Sequence, residues 1–313
     1  MMMKQTVIAV VGPTAVGKTK LSVEIAKAFN GEVISGDSMQ IFKGMDIGTA
    51  KITDQEKQGI PHYMIDIKNP EEPFSVADFQ KYVQHYIEEI SSHNKLPVIA
   101  GGSGLYIQGA LYNYNFSEQP RNEDFTADLE EQLIREGALP LYERLERIDP
   151  QQAAKIHPNN HRRVIRALEI YETTGKTMTE YQSKQVLESP YNPILIGLEM
   201  DRKLLYERIN QRVDEMVQNG LTAEAEFFYQ KGLTDVQSMK GIGYKEFIPY
   251  FEHRQTLEES IEILKRNSRR YAKRQYTWFR NKLDVAWYDI TPVATEERFR
   301  NILGDLAGML KKI

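Results

Sequence analysis

TVIAVVGPTAVGKTKLSVEIAKAF, residues 6–29, decides the fold. Residues 6–11 are a continuous apolar, β-branched run, the pattern of a strand buried on both faces of a parallel sheet. Gly12-Pro13-Thr14-Ala15-Val16-Gly17-Lys18-Thr19 follows and matches G-x-x-x-x-G-K-[ST]. Leu21, Ile25 and Ala28 then recur at helical spacing. In a strand–loop–helix unit of this kind, backbone N–H groups and the helix N-terminus cradle two adjacent phosphates. The candidate diphosphate-binding residues are therefore Gly12, Thr14, Ala15, Val16, Gly17, Lys18 and Thr19. Lys18 supplies a point charge, and the Thr19 hydroxyl is the candidate ligand for a Mg²⁺ cofactor.

Strands and helices alternate beyond this unit. A short strand at 32–35 runs into Gly36-Asp37-Ser38, and a helix is predicted over 75–92, opened by a capping box of Ser75 and Asp78. A third strand, LPVIA at 96–100, ends in Gly101-Gly102-Ser103-Gly104. From about 117 to 190 the chain is charged, helical in pattern and without a convincing strand. Another apolar strand, ILIGL, follows at 194–198. A helix over 203–219 stops at Gly220, and a further helix starts at Thr256 with Glu259 completing a capping box. The expected fold class is α/β: a P-loop parallel-sheet core with helices on both faces and an inserted all-helical domain. The expected boundaries are 1–116 for the first part of the core, 117–192 for the insertion and 193–313 for the continuation of the core.

Composition narrows the function. The 313 residues include no cysteine, which excludes disulfides, iron–sulfur clusters and cysteine-based zinc sites. The six histidines never form H-E-x-x-H. No apolar run reaches the ~18 residues needed to span a bilayer, so no membrane partner is expected and the predicted location is cytoplasmic. Net charge is −4, yet eight basic residues and no acidic one lie between Lys265 and Lys282. Removing those eight from the 40 basic residues leaves 32 against 44 acidic ones, so positive charge is concentrated there. In this stretch Tyr271, Tyr276, Trp278 and Phe279 alternate with Arg and Lys. Two readings stay open: a surface for phosphates and stacked bases, or an amphipathic helix with core aromatics and solvated cations.

A P-loop does not say which diphosphate is bound. The strand at 96–100 ends in glycines and Ser103 rather than the Mg²⁺-binding Asp of an NTP hydrolase. That weakens a motor or switch reading and leaves a small-molecule (nucleoside) kinase as an alternative. Asp37, at the carboxyl end of a strand beside the P-loop, is a candidate general base. Ser103 can aim its hydroxyl at the same phosphates, and Arg208 and Arg212 share a helix face.

The blocks SGDSMQIFKGMDIGTAK (35–51), PHYMIDI (61–67), GGSGLYIQGAL (101–111), HPNNHRRVIRALEIY (157–171), RVDEMVQNGL (212–221), KGIGYKE (240–246) and YAKRQYTWFR (271–280) stand behind the P-loop in this order. In order and spacing they resemble bacterial tRNA dimethylallyltransferases, also called tRNA isopentenyltransferases, over nearly the whole chain. The resemblance implies that the P-loop takes dimethylallyl diphosphate and not ATP. It implies transfer of the dimethylallyl group to N6 of the adenine 3′ of the anticodon, with diphosphate leaving. Asp37, Ser103 and Arg212 are then the catalytic candidates: base, hydroxyl donor, and neutraliser of the leaving group. Asp37, Ser38, Met39 and Gln40 match a segment that meets the target base, and His161, Arg162, Arg163, Val164 and Ile165 a second tRNA-contacting segment in the insertion. Lys273 and Arg274 of the basic helix are further candidates for tRNA contact. The expected partners are the tRNA anticodon stem-loop and dimethylallyl diphosphate, with the protein a monomer. Ser103, Phe42 and His161 stand where the family commonly has threonine, tyrosine and glutamine.

Overall fold

The structure is a computed structural model that describes residues 4–112, 122–183, 188–291 and 295–311. The first part of the core runs β1 (Thr6–Val11), α1 (Lys18–Ala28), β2 (Gly31–Ser35), α2 (Asp54–Lys57), β3 (His62–Tyr63), α3 (Val76–Ser92), β4 (Leu96–Gly101) and α4 (Gly104–Leu111). Among the described residues five helices follow: α5 (Glu123–Glu136), α6 (Leu139–Ile148), α7 (Pro150–Ala153), α8 (His161–Thr174) and α9 (Met178–Ser183). The core resumes with β5 (Asn192–Glu199), α10 (Arg202–Gln218), α11 (Leu221–Gln230), α12 (Ile248–Phe251), α13 (Leu257–Lys282), β6 (Ala286–Asp289) and α14 (Thr295–Leu310).

The chain divides into two compact units, 1–112 with 189–313, and 113–188. The boundaries drawn from the sequence, at 116/117 and 192/193, fall later than these. Residues 189–192 belong to the core because the Ser189 hydroxyl donates to the Leu111 carbonyl at 2.6 Å, Tyr191 is buried, and Asn192 already pairs with Thr6.

Among the described residues the sheet has six strands in the order β3-β2-β4-β1-β5-β6, and they pair in parallel. β1 lies at its centre, with Ile8 opposite Val98 on one side and Ile194 on the other. Successive side chains of a strand point to opposite faces. Val7, Ala9 and Val11 accordingly join one core with Phe79, Val83 and Ile87 of α3, while Ile8 and Val10 join another with Leu21 and Ile25 of α1 and Ile302 of α14. This is the two-faced burial that the unbroken apolar run 6–11 predicts. Both predicted capping boxes form, Ser75 with Asp78 and Thr256 with Glu259. Each is worth about 1 kcal/mol of helix stability.

The second unit is helical among its described residues. Its core is Leu129, Leu141, Leu145, Val164, Ile165 and Leu168 with their neighbours. Asp149 is nearly fully buried there. It caps α7 through the Gln152 N–H and accepts from the Thr179 N–H and hydroxyl, so the buried charge is satisfied.

Candidate active site

The P-loop owes its shape to three residues in the left-handed region: Gly12 (φ +140°), Ala15 (φ +63°) and Gly17 (φ +112°). A Cβ on Gly12 would stand 2.6 Å from the Leu198 carbonyl oxygen of β5, so only glycine fits. Val16 is fully buried and pins the loop from beneath. Gly17 begins α1 with no side-chain cap, and the first turn carries no acid. The leading N–H groups of α1 therefore have no side-chain partner, the condition under which a helix start takes an anion. Lys18 Nζ rests on the Pro13 carbonyl at 2.6 Å, and Thr19 is exposed on the first turn.

Asp37 follows β2. Its Oδ1 accepts the Met39 N–H at 2.8 Å, an Asx turn that presents Ser38 and Met39 beside it. Opposite stands α13. Gln275, almost wholly buried, accepts the Thr14 N–H on Oε1 at 2.8 Å and donates through Nε2 to the Gly102 carbonyl at 3.1 Å. One side chain thus fastens the P-loop apex to the glycine turn after β4. Tyr271, one helical turn earlier, lines the cavity close to Ser103 and Gln275.

A cavity of about 300 Å³ opens between these elements, inside the first unit. Thr14 and Ala15 line one end, and Asp37, Ser38, Met39, Arg212 and Arg274 line it further along. Ile209, Val213 and Met216 of α10, with Leu264 of α13, supply an apolar wall. A phosphate cradle, a carboxylate and a short greasy wall suit a ligand with a charged end and a small hydrocarbon end.

Burial sets the electrostatics. Asp37 is raised above the usual carboxylate range by loss of solvent, against the opposing pull of the Met39 N–H, Lys18 and Arg212. Lys18 is brought down to about 7, chiefly by burial and then by the nearby Arg212, while Asp37 acts the other way. Burial also lowers Arg212. Two cations share a desolvated site with one carboxylate, an arrangement in need of an anion. Tyr271 is pushed up to about 12 by burial and by Asp37, and so remains a hydrogen-bond donor.

Several expectations need correction. Val164 and Ile165 are 2% and 5% exposed in the helical core, so their side chains do not reach a tRNA. They fall on the inward stripe of α8, leaving Arg162 and Arg163 exposed and His161 half-buried at its start. Gln40 does not offer its amide to a base. Its Oε1 accepts from the Ser35 hydroxyl, and its Nε2 donates to the Thr49 and Ala50 carbonyls. Arg274 lines the cavity, whereas Lys273, its neighbour on the helix, is exposed outside it. The aromatics of α13 divide: Phe279 is fully buried and Trp278 packs on Gly104, both in the core, whereas Tyr271 lines the cavity. Lys265 pairs with Asp214 at 2.7 Å and Arg280 with Glu199, so part of the positive stretch is neutralised internally. Gly220, as expected, is the left-handed C′ residue (φ +101°) that follows Asn219, the C-cap of α10, and it also opens α11.

The sequence assigned no role to Gln275, Lys240 or Lys245, and read Tyr271 only as one aromatic of the basic stretch, although all lie in the family-like blocks. Lys240 and Lys245 are exposed at the cavity rim. A glutamine or tyrosine inside a basic helix carries no signal of its own; only the packing of α13 turns it inward.

Among the described residues no cluster of three or more His, Asp or Glu is placed to hold a metal ion. A Mg²⁺ here would draw few oxygens from the protein; the Thr19 hydroxyl, exposed on the first turn of α1, is the one that the sequence offers.

A family model described as IPP transferase matches residues 40–282. The chain is 60% identical over 310 residues to a tRNA dimethylallyltransferase of Oceanobacillus iheyensis, covering 99% of each chain. It is 55% identical over 309 residues to one of Bacillus subtilis, covering 98% of each. Among solved structures it is similar to the full-length tRNA isopentenylpyrophosphate transferase of Bacillus halodurans, with 51% identity, a TM-score of 0.76, and 99% and 97% of the two chains covered. It is also similar to a eukaryotic dimethylallyltransferase acting on tRNA, with 31% identity, a TM-score of 0.82, and 97% and 80% covered.

Proposed function

The chain belongs to the IPP transferase family, and from that premise we infer the reaction that its cavity performs. The protein is a tRNA dimethylallyltransferase, a prenyl-transferring enzyme that acts on tRNA. Dimethylallyl diphosphate enters with its phosphates on the P-loop and its five-carbon group along Ile209, Val213 and Met216. The acceptor is N6 of the adenine 3′ of the anticodon, presented by the anticodon stem-loop. The lone pair of N6 forms a bond to C1 as the C1–O bond breaks, and diphosphate leaves with the bonding pair.

A neutral exocyclic amine is a weak nucleophile, and Asp37 takes its proton. The raised basicity of Asp37 suits that task. Arg212 and Lys18 balance the charge that builds on the leaving oxygens, in a site where burial strengthens every such interaction. Ser103, close to Tyr271, offers a hydroxyl to the same end. The Thr19 hydroxyl would help to hold a Mg²⁺, which when bound would supply further neutralisation of the phosphate oxygens. An adenine stacked in an anticodon loop must be splayed out to reach Asp37.

One observation carries this reading: the P-loop apex, Asp37 and Arg212 line a single cavity. No helix of the described residues is long and apolar enough to cross a membrane. We propose a cytoplasmic enzyme that works on free tRNA as a monomer. The test is a transfer assay with Mg²⁺, dimethylallyl diphosphate and unmodified tRNA, followed by digestion and mass analysis. Prenylated adenosine that depends on the donor is the expected product. Phosphate transfer from ATP to a nucleoside in a parallel tube, with no prenylated adenosine, would return the site to a kinase.

A further inference from the structure

Glu224, on α11, does not line the cavity, yet its carboxylate is saturated by residues that lead to it. Its Oε2 accepts the backbone N–H groups of Asp46 and Ile47, each at 2.9 Å. Its Oε1 accepts the Gly48 N–H at 3.0 Å and the Tyr244 hydroxyl at 2.7 Å. Hydrogen bonds to an ionised acceptor are about twice as strong as neutral ones. Four of them converge on one side chain, and among the described residues no ion-pair partner competes.

Two segments are joined by this carboxylate. Gly48, Thr49 and Ala50 line the cavity, and so do Lys240, Gly241, Ile242, Gly243 and Lys245 around Tyr244. The segments also touch directly. A Cβ on Gly48 would stand 2.6 Å from the Tyr244 ring, and one on Gly243 would stand 2.8 Å from the Gly48 carbonyl oxygen. Tyr244 is fully buried, and burial with the Glu224 charge holds its hydroxyl in the protonated, donating form. On the far side, Gln40 binds the Thr49 and Ala50 carbonyls and so ties this edge to the segment that carries Asp37.

We propose that Glu224 is a positioning residue for the acceptor: it fixes segments 48–50 and 240–245 as one rigid edge beside Asp37, against which the target nucleotide is aligned. The proposal rests on the reading that a tRNA adenine is the acceptor. The P-loop end of the cavity has its own supports in Gly12, Val16 and Gln275, so Glu224 acts on one substrate and not on the other.

The experiment compares wild type, Glu224→Gln and Tyr244→Phe in steady-state transfer, with KM measured separately for tRNA and for dimethylallyl diphosphate, and with thermal unfolding of each. Glutamine keeps the shape and one acceptor oxygen but turns an amide toward N–H donors. For Glu224→Gln, kcat/KM for tRNA falls about 10- to 100-fold, the range for a small misplacement of reacting groups. KM for dimethylallyl diphosphate stays within about twofold, because the phosphate cradle is untouched. Tyr244→Phe removes one donor and shows a smaller fall in the same direction; it carries the test if Glu224→Gln fails to fold. Unchanged tRNA kinetics in a folded Glu224→Gln overturn the proposal. So does an equal rise in KM for both substrates with a lowered unfolding temperature, the mark of a merely structural residue. A wild-type enzyme that makes no prenylated adenosine would instead sink the reading of function, before any variant is compared.

Discussion

The P-loop takes its backbone shape from eight consecutive residues, 12–19, fastened at one point by Gln275, whereas the facing edge at 46–50 is held by a nearby glutamine and by a carboxylate far away in the chain. In the loop, positive φ at Gly12, Ala15 and Gly17 and the buried Val16 fix the backbone locally. At the edge, Glu224 holds the N–H groups from one side while Gln40 holds the carbonyls from the other. A phosphate looks the same in every ligand, so a fixed backbone cradle recognises it. A nucleotide must be turned to aim one nitrogen at one carboxylate, and side chains from several elements are needed for that. Asp37 lies where the two regions meet.

The sharpest way to break the comparison is at that meeting point. Asp37→Ala should fold, bind tRNA nearly as well and lose at least ~100-fold in kcat, the low end for removing a general base. Single-turnover rates at saturating tRNA check this, and an unchanged rate would remove Asp37 from the role. Because burial raises Asp37, the low-pH limb of kcat/KM should fall about tenfold per pH unit below a pKa above the ordinary carboxylate value.

Next in size is Gly12→Ala, which strikes the loop alone. Its φ of +140° and the Leu198 carbonyl at 2.6 Å leave a methyl group no room, and neither constraint is relieved by turning a flexible side chain. Strain of about 1–3 kcal/mol is expected in thermal unfolding, with weakened binding of dimethylallyl diphosphate. A variant with wild-type donor affinity would show that the cradle is less rigid than the comparison requires.

Lys18 gives a third, smaller effect. In the free protein its pKa lies near 7 instead of 10.5. A bound diphosphate restores the charged form, so binding at about pH 8 should take up close to one proton, and binding well below pH 7 almost none. The affinity falls as pH rises from about 7 toward 10.5. Binding heats in buffers of different ionisation enthalpy give the proton count; a value near zero at about pH 8 would mean Lys18 is already charged.

The smallest effect belongs to α13. Changing Lys273 and Arg274 together to Ala should weaken tRNA binding and lower the slope of log K against log salt by about 1–2, roughly one unit for each phosphate that a cation no longer neutralises. An unaltered slope would assign this part of α13 to structure alone.

How far these features were legible follows from how far each reaches along the chain. The strands 6–11, 96–100 and 194–198 and both capping boxes could be read directly, because their signals lie within a few residues. β6, at the sheet edge, escaped notice: residues 286–289 are partly or fully exposed, and no residue among them is buried to give a period. So did β3, two residues long. Gln40, Val164 and Ile165 were placed on a surface by family likeness, and packing turned them elsewhere.

The sequence by itself determined the strand–loop–helix unit, the phosphate loop, the aspartate beside it and the helical insertion. Each depends on periodicity or on backbone conformation set by neighbouring residues. Only the tertiary structure decided which polar side chains serve the cavity. Gln275 reaches Thr14 and Glu224 reaches Gly48 across 261 and 176 residues of chain. The direction of a side chain on a helix depends on the surface that helix packs against, and no local pattern records which distant backbone group will be waiting there.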